Sequence, residues 1–319
     1  MKDEQLTSNG VRWRCVKSFV PRIRGTFADL EAALSRATPL REHRVKRKYE
    51  VVDGDATWFI KLYPKQGGLA RLKSLVQGTR ARHEYEAAGE VARRGVPCVP
   101  IDAVAEWKAG GAVFIRKLEG WRTVNEALPD DRLLVHYGEF CRAVHDANVW
   151  QDDFNPTNVL LSPTGEMRLI DYERLDPRRA IPERERLRLL AKLVRMPTVG
   201  RAGLDRVLEG YMRTGEDLRD RILALAERQA RIDRAKLAKN CLLENRTFAK
   251  IETPDHVGFC RRGAWPLEEA RRKPVDDAYA AWREANLQAL DGAPRPVAVL
   301  RERKGKRGWV AFEPLPGGG

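Results

Sequence analysis

Apolar and polar positions alternate with the spacing of strands early in the chain and follow helical spacing later. Residues 44–52 and 57–63 predict two strands, because the intervening Asp53-Gly54-Asp55 is typical of a hairpin turn. Apolar side chains that recur every three or four residues predict helices. The other predicted elements of this central part are a strand at 112–118 and helices at 80–94, 131–147, 183–195, 204–213 and 217–242.

The two ends of the chain differ from this central part. Residues 1–39 predict an N-terminal extension that is partly helical, with an N-cap at Thr26. Residues 245–319 predict a C-terminal extension of unknown role. Its predicted elements are a hairpin around 248–261, a helix near 276–290 and a disordered PLPGGG end. Strands that precede a mainly helical part make α+β the expected fold class.

A short segment after the helix 131–147 places polar side chains regularly between apolar runs. Asp153 precedes Asn158 by five residues, and the apolar residues 159–161 follow directly. A turn at 162–165 then returns the chain through a second apolar run to Asp171. Carboxylate and amide oxygens are ligands that Mg²⁺ prefers. We therefore interpret this segment as a metal–phosphate site on a β-hairpin.

Two residues upstream extend this interpretation. Lys61 is the single lysine of the apolar strand WFIKLYP, and Glu84 lies on the predicted helix that follows. A lysine in a strand, a glutamate on the next helix and acids around a later hairpin occur in the order that kinase-like folds use for phosphoryl transfer. An Asp followed five residues later by an Asn is a weak signal alone, so this order carries the hypothesis.

Net charge adds an expectation about partners. The chain carries 59 Lys and Arg against 45 Asp and Glu, a net charge of +14. Such an excess favours an anionic partner, although a solvated basic face remains the alternative. No aromatic-basic strand or recognition helix stands out, so nucleic acid is not expected as a partner. The sequence leaves the oligomeric state open.

The compartment follows from other features of the sequence. The N-terminal MKDEQLTSNG lacks the apolar region of a signal peptide, and no apolar run is long enough to cross a bilayer. Five scattered cysteines without a CxxC pair argue against a disulfide framework or a zinc knuckle. The cytoplasm is the expected compartment.

Four segments resemble the bacterial lipopolysaccharide kinase family, the Kdo and heptose kinases, within the protein-kinase-like fold. The resemblance spans about residues 40–215. It implies a bilobal α+β fold, with a small strand-rich N-lobe with one main helix at 40–119 and a larger helical C-lobe at 120–244. The segments that carry it are WFIKLYP, RARHEYEAAGEVARRGVPCVP, VHDANVWQDDFNPTNVLL and RLIDYERL.

The resemblance also implies an activity and roles for residues. The activity is transfer of phosphate from ATP, with Mg²⁺, to a sugar hydroxyl of the lipopolysaccharide core or a lipid A precursor. The enzyme would be peripheral at the anionic inner face of the inner membrane. By position, Lys61 would bind the phosphates of ATP and Glu84 would hold Lys61. Asp153 would be the catalytic base, and Asn158 and Asp171 would be metal ligands.

Neighbouring acids compete for two of these roles. Glu86 is the alternative to Glu84, but Glu84 shares a helix face with apolar residues. Asp152 is the alternative to Asp153, and the five-residue spacing to Asn158 favours Asp153. We expect His145, near the end of the preceding helix, to be structural.

The sequence departs from the kinase pattern at three places. Gln151 and Asp152 stand before the expected base, where the pattern usually has His and then Arg or Gly. Tyr172-Glu173 rather than Phe-Gly follows Asp171. No glycine-rich loop precedes WFIKLYP, and the basic residues 44–48 stand in its place.

Two other functions remain open on these residues. One is a small-molecule kinase of the aminoglycoside or choline phosphotransferase type. The other is a non-catalytic pseudokinase that binds anionic lipid. The presence of Lys61, Asp153, Asn158 and Asp171 argues against a pseudokinase, because a dead site usually lacks at least one of them.

Overall fold

The computed structural model describes residues 3–43, 46–64, 79–176, 180–213, 217–263, 271–291 and 293–313. The chain divides into two compact units, Met1–Leu223 and Ala224–Gly319. The boundary lies about twenty residues before the limit expected at 244. The predicted bilobal division stays a prediction, because residues 40–119 and most of residues 120–244 fall within the first unit.

A seven-stranded antiparallel sheet forms one part of the first unit, with the strand order β1-β2-β6-β7-β5-β4-β3. Gly54, with φ of 62°, lies in the predicted hairpin turn between β4 and β5. The strands are β1 Glu4–Ser8, β2 Val11–Cys15, β3 Thr38–His43, β4 Lys46–Asp53, β5 Ala56–Pro64, β6 Ala103–Trp107 and β7 Gly110–Arg116.

Residues 1–39 differ from the extension expected there, because their strands belong to this sheet. Asn9 and Gly10 have φ of 49° and 75°, so both favour the tight turn that joins β1 to β2. Trp13 in β2 is buried in the core of the sheet and pairs with Ala105 in β6. The pairing joins the start of the chain to a strand about ninety residues later. Residues 1–39 are thus part of the first unit's core.

The helix expected from Thr26 begins later than predicted. The structure has two short helices here, α1 Val20–Arg24 and α2 Leu30–Ser35. Asp29 is the N-cap of α2, and its carboxylate accepts a 2.9 Å hydrogen bond from the backbone N–H of Ala32. The Thr26 hydroxyl instead donates to the carboxylate of Asp53. Thr26 therefore ties this segment to the β4–β5 turn.

Helices dominate the rest of the first unit, as predicted. Two small sheets lie between them, with the strand orders β11-β10-β8 and β12-β9. These strands are β8 Arg122–Thr123, β9 Trp150–Gln151, β10 Val159–Leu161, β11 Met167–Leu169 and β12 Leu175–Asp176. The helices are α3 Arg80–Arg93, α4 Val124–Ala127, α5 Asp131–Asp146, α6 Glu183–Leu193 and α7 Gly200–Tyr211, followed by α8 Arg219–Asn240, which contains the boundary between the units.

The second unit contains a five-stranded antiparallel sheet in the order β13-β14-β16-β17-β15 and one further helix, α9 Ala278–Gln288. Trp282 of α9 is fully buried, and its indole N–H donates to the carbonyl oxygen of Cys241 at 2.8 Å. The predicted disordered end at 314–319 lies outside the described residues. The strands are β13 Phe248–Glu252, β14 His256–Arg261, β15 Arg271–Val275, β16 Pro296–Glu302 and β17 Gly308–Phe312.

No helix in the described segments is both long enough and apolar enough to cross a membrane.

Candidate active site

Lys61 and Glu84 form a buried ion pair between the seven-stranded sheet and α3. Lys61 lies in β5, which is hydrogen-bonded to β4 on one side and β7 on the other. Lys61 is 3% exposed and Glu84 is fully buried. The ammonium of Lys61 donates to Glu84 Oε1 at 2.5 Å and to Asp171 Oδ1 at 3.1 Å. The structure therefore brings three of the predicted site residues together.

The electrostatics of this pair keep the ammonium of Lys61 charged. Burial alone lowers the pKa of Lys61, but the carboxylates of Glu84 and Asp171 more than offset it and raise that pKa above its ordinary value. Glu86, the alternative partner, has a side chain that is 46% exposed and pairs with Arg82 and Arg14. The geometry thus favours Glu84 over Glu86 as the partner of Lys61.

Tyr63 and Glu173 join this cluster although they were not predicted as site residues. The Tyr63 hydroxyl lies 2.5 Å from Glu84 Oε2 and 2.7 Å from Glu173 Oε1. Glu173 also forms an ion pair with Lys46. Two-residue periodicity was the signal for Tyr63, because residues 61 and 63 of one strand point to the same face. The same spacing separates Asp171 from Glu173.

The hairpin β10–β11 positions Asn158 and Asp171 at the same end. Val159 pairs with Leu169, and the N–H of Ile170 donates to the carbonyl oxygen of Asn158 at 2.9 Å. Asp171 follows directly in a left-handed conformation with φ of 65°, which is uncommon for a residue with a side chain. The hairpin therefore ends where the two predicted metal ligands stand.

Gln151 holds the backbone at Asp171. Its side-chain amide donates to the carbonyl oxygen of Ile170 at 3.0 Å and to that of Asp171 at 2.5 Å. Gln151 is fully buried, and its amide oxygen has no hydrogen-bond partner among the described residues. An aspartate keeps this left-handed backbone conformation where the surrounding structure holds it in place. The departure from histidine at this position thus has a structural role.

Asp153 and Asp152 differ in their surroundings. Asp153 is half-buried; burial, and then the charge of Asp171, raise the pKa of its carboxyl above the ordinary value. The side chain of Asp152 is 61% exposed and lies 3.9 Å from Arg174. A carboxylate with a raised pKa is a better proton acceptor near neutral pH. The geometry favours Asp153 as the base.

The donor set near Asp171 suits a divalent cation. The charges of Lys61, Lys46 and Lys48 outweigh the effect of burial and hold the pKa of Asp171 below its usual value, so its carboxylate is ionised. The side-chain N–H of Asn158 donates to the carbonyl oxygen of Asp153 at 2.9 Å, which leaves its amide oxygen for a ligand. Oxygen atoms of these two kinds are what Mg²⁺ prefers.

Three side-chain carboxylates, including that of Asp171, lie around the ammonium of Lys61. Oxygen atoms of Glu84, Asp171 and Glu173 lie within 4.8 Å of one another, the one such acid group found in the described segments. Lys61, Lys46 and Tyr63 already contact these oxygens, so this group is an ion-pair network.

Comparison with solved structures identifies the fold. WaaP, solved in complex with acyl carrier protein, is similar with a TM-score of 0.52 and 22% identity over 69% of this chain and 98% of WaaP. Spectinomycin phosphotransferase APH(9)-Ia, solved with ADP and spectinomycin, has a TM-score of 0.47 and 10% identity, over 64% of this chain and 82% of that protein. The likeness to WaaP confirms the predicted kinase-like α+β fold.

Comparison of the sequence gives the family. A search of curated proteins finds no match. The sequence model of the lipopolysaccharide kinase (Kdo/WaaP) family matches residues 35–211, more than half of the chain. This agrees with the range of the predicted resemblance, and it makes the protein a phosphotransferase. The chain belongs to the lipopolysaccharide kinase (Kdo/WaaP) family.

Proposed function

We propose that the chain transfers the γ-phosphate of ATP to a hydroxyl of a Kdo or heptose sugar in the lipopolysaccharide inner core. The observation that carries this proposal is the placement of the Lys61 ammonium between Glu84 and Asp171, at 2.5 Å and 3.1 Å. Phosphoryl transfer needs little covalent chemistry from the protein, so positioning and charge neutralisation are the main tasks. A buried, oriented ammonium supplies both.

Each residue of the site has one task in this mechanism. Lys61 binds phosphate oxygens of ATP, and Glu84 fixes the ammonium because it is buried and cannot move away. The carboxylate of Asp171 and the amide oxygen of Asn158 would hold Mg²⁺. When bound, the metal ion neutralises charge on the phosphates. Asp153 orients the sugar hydroxyl and accepts its proton as the oxygen attacks the γ-phosphorus. The bond between the γ-phosphorus and the β–γ bridging oxygen breaks, and ADP leaves with that oxygen.

The raised pKa of Asp153 supports its role as base. Its carboxylate lies near that of Asp171, and the repulsion between them falls when Asp153 takes up a proton. Asp171 stays ionised because the lysines around it lower its pKa. Two carboxylates whose pKa values are shifted in opposite directions are typical of a site in which one binds the metal and the other accepts the proton.

We place the reaction at the anionic inner face of the inner membrane. The support is the net charge of +14, which is attracted to a surface of anionic lipids. The acceptor sugars carry carboxylate or phosphate groups and are linked to lipid, so the same excess of positive charge favours the acceptor. Co-sedimentation with vesicles that contain anionic lipid, compared with neutral vesicles at equal salt, tests this placement.

The decisive experiment compares two neighbouring substitutions. Purified protein, Mg²⁺ and ATP are incubated with lipid A that carries Kdo or Kdo and heptose, and mass spectrometry follows the addition of one phosphoryl group. We expect product with the wild type and with Asp152→Asn. Asp153→Asn should reduce kcat by at least about 100-fold, because it removes the general base. Equal activity of the two variants would remove Asp153 from the mechanism.

The alternatives predict other outcomes. Phosphorylation of a soluble amino sugar or amino alcohol, with none of the lipid acceptors, would replace the proposal with a small-molecule kinase. A pseudokinase would give no product at all. In that case Mg-ATP would raise the unfolding temperature of the wild type and of Asp171→Asn equally or not at all.

A further inference from the structure

Three lysines lie on one face of the seven-stranded sheet. Lys48 of β4 is the direct partner of Lys61 of β5 in the antiparallel register. Side chains of directly opposite residues point to the same face and lie close together. Lys46 is two residues before Lys48 and therefore shares that face. The buried lysine of the ion pair thus has two cationic neighbours on the next strand.

The two neighbours differ in their partners. Lys46 forms an ion pair with Glu173. Lys48 is half-buried, and its ammonium lies 5.5 Å from the centre of the Phe59 ring. No carboxylate within the described ranges forms an ion pair with Lys48. Phe59 is also on β5, two residues before Lys61, so it lies on the same face. Lys48 is thus a half-buried cation that forms no ion pair in the part of the chain that the structure describes.

The surroundings of Lys48 favour an added anion. Burial, and then the positive charges of Lys46 and Lys61, lower the pKa of Lys48, while Asp171 and Glu173 act in the opposite direction. A like-charge cluster that is partly removed from water carries a cost. An anionic ligand with several oxygens offsets that cost, because each oxygen can accept from a separate ammonium.

The nucleotide is the anion that this site already requires. Protein kinases cover the phosphates of ATP with a glycine-rich loop, whereas this chain has no such loop before β5. We propose that Lys48, with Lys46 beside it, binds the β- and γ-phosphates of ATP across the strand pair from Lys61. This proposal rests on the proposed kinase function, and it assigns to β4 the phosphate contacts that a glycine-rich loop otherwise makes.

Calorimetric titration with ATP, ADP and AMP tests this assignment without reference to turnover. Lys48→Met should weaken binding of ATP and ADP by roughly 10- to 100-fold, because a charged hydrogen bond to phosphate is lost. Binding of AMP should stay unchanged. Lys48→Arg keeps the charge and should bind ATP within a few-fold of the wild type.

Arg47→Met is the matched control. Arg47 is exposed on the same strand, and successive side chains of a strand point to opposite faces. Loss of this charge should leave the affinity for ATP unchanged. Thermal unfolding without ligand shows whether each variant is folded.

The outcomes separate the two proposals. A folded Lys48→Met protein with wild-type affinity for ATP overturns the role of Lys48, and so does an equal loss for ATP and AMP. A wild type that binds ATP but phosphorylates no lipid acceptor contradicts the proposed acceptor and leaves the result for Lys48 intact. A wild type that binds no ATP overturns both proposals.

Discussion

The side-chain amide of Gln151 donates a 2.5 Å hydrogen bond to the backbone carbonyl oxygen of Asp171. A second bond from the same amide, to Ile170, fixes the residue before it. Asp171 has a positive φ, so these bonds hold a conformation that its own side chain disfavours. The carboxylate that we assign to the metal is therefore oriented through the backbone by Gln151, a residue to which we assign no metal contact.

Loss of the Gln151 amide should raise the Mg²⁺ concentration that phosphotransfer requires. Gln151→Ala removes both hydrogen bonds, and the Mg²⁺ concentration for half-maximal activity should rise by about 10- to 100-fold, as for other groups that orient a metal ligand. Gln151→His retains one donor and should lose less. The measurement is a Mg²⁺ titration of phosphotransfer. A lower unfolding temperature with an unchanged Mg²⁺ requirement would make Gln151 a packing residue only.

The buried pair Lys61–Glu84 should show strong coupling. Lys61→Met leaves the carboxylate of Glu84 buried without its cation and should lower the free energy of unfolding by about 3–5 kcal/mol. Adding Glu84→Gln removes the unpaired charge and should recover part of that loss. Activity should be absent from both variants, since both lack the ammonium to which we assign phosphate binding. Urea unfolding measures the stabilities, and strictly additive losses would contradict the coupling.

Local sequence patterns were enough to predict the site residues that stand out from their neighbours along the chain. Lys61 stands out because a single lysine interrupts an apolar strand, and Glu84 because helical spacing places it on an apolar face. The structure brings these two residues and Asp171 together. Tyr63 and Glu173 were not predicted, because each lies two residues after a predicted site residue and neither is part of a known motif.

Pairing between distant strands was not accessible in the same way. The strands at 4–8 and 11–15 mix polar and apolar residues, so residues 1–39 resembled an extension. Asn9-Gly10 was a usable hairpin signal that the prediction overlooked. The pairing of β2 with β6, however, joins residues about ninety positions apart, and no local pattern encodes it.

His145 should make the protein less stable in acid. Burial, and then the nearby charge of Arg186, lower its pKa from 6.5 to about 3, while the Tyr211 hydroxyl lies 2.9 Å from Nδ1. Between these values the unfolded chain binds a proton that the folded protein does not, so stability falls as the pH falls. Between neutral pH and pH 5.5 this contributes a loss of about 1 kcal/mol.

The comparison of His145→Gln with the wild type isolates this effect from that of other titrating groups. Urea unfolding at pH 7 and pH 5.5 gives the change in stability for each protein. The variant should lose about 1 kcal/mol less than the wild type over this interval. An equal pH dependence of the two proteins would show that His145 takes up its proton in the folded state.

Two glycines allow α5 and α7 to pack with their backbones in close contact. A Cβ at Gly138 would lie 2.0 Å from the carbonyl oxygen of Val207, and one at Gly210 would lie 2.0 Å from that of Val135. Backbone atoms cannot move aside as a flexible side chain can. Gly138→Ala and Gly210→Ala should each lower the free energy of unfolding by about 1–3 kcal/mol.

Gly89 in α3 provides the control for this packing, because a Cβ there meets nothing within 4 Å. Gly89→Ala should raise the free energy of unfolding by up to about 1 kcal/mol, since alanine favours the helix more than glycine does. Opposite signs for alanine at positions 89 and 138, measured by urea unfolding, would assign the cost to close helix contact. A gain in stability at Gly138 or Gly210 would contradict the close packing of α5 on α7. This packing bears on the site, because α5 leads into the segment that carries Asp153.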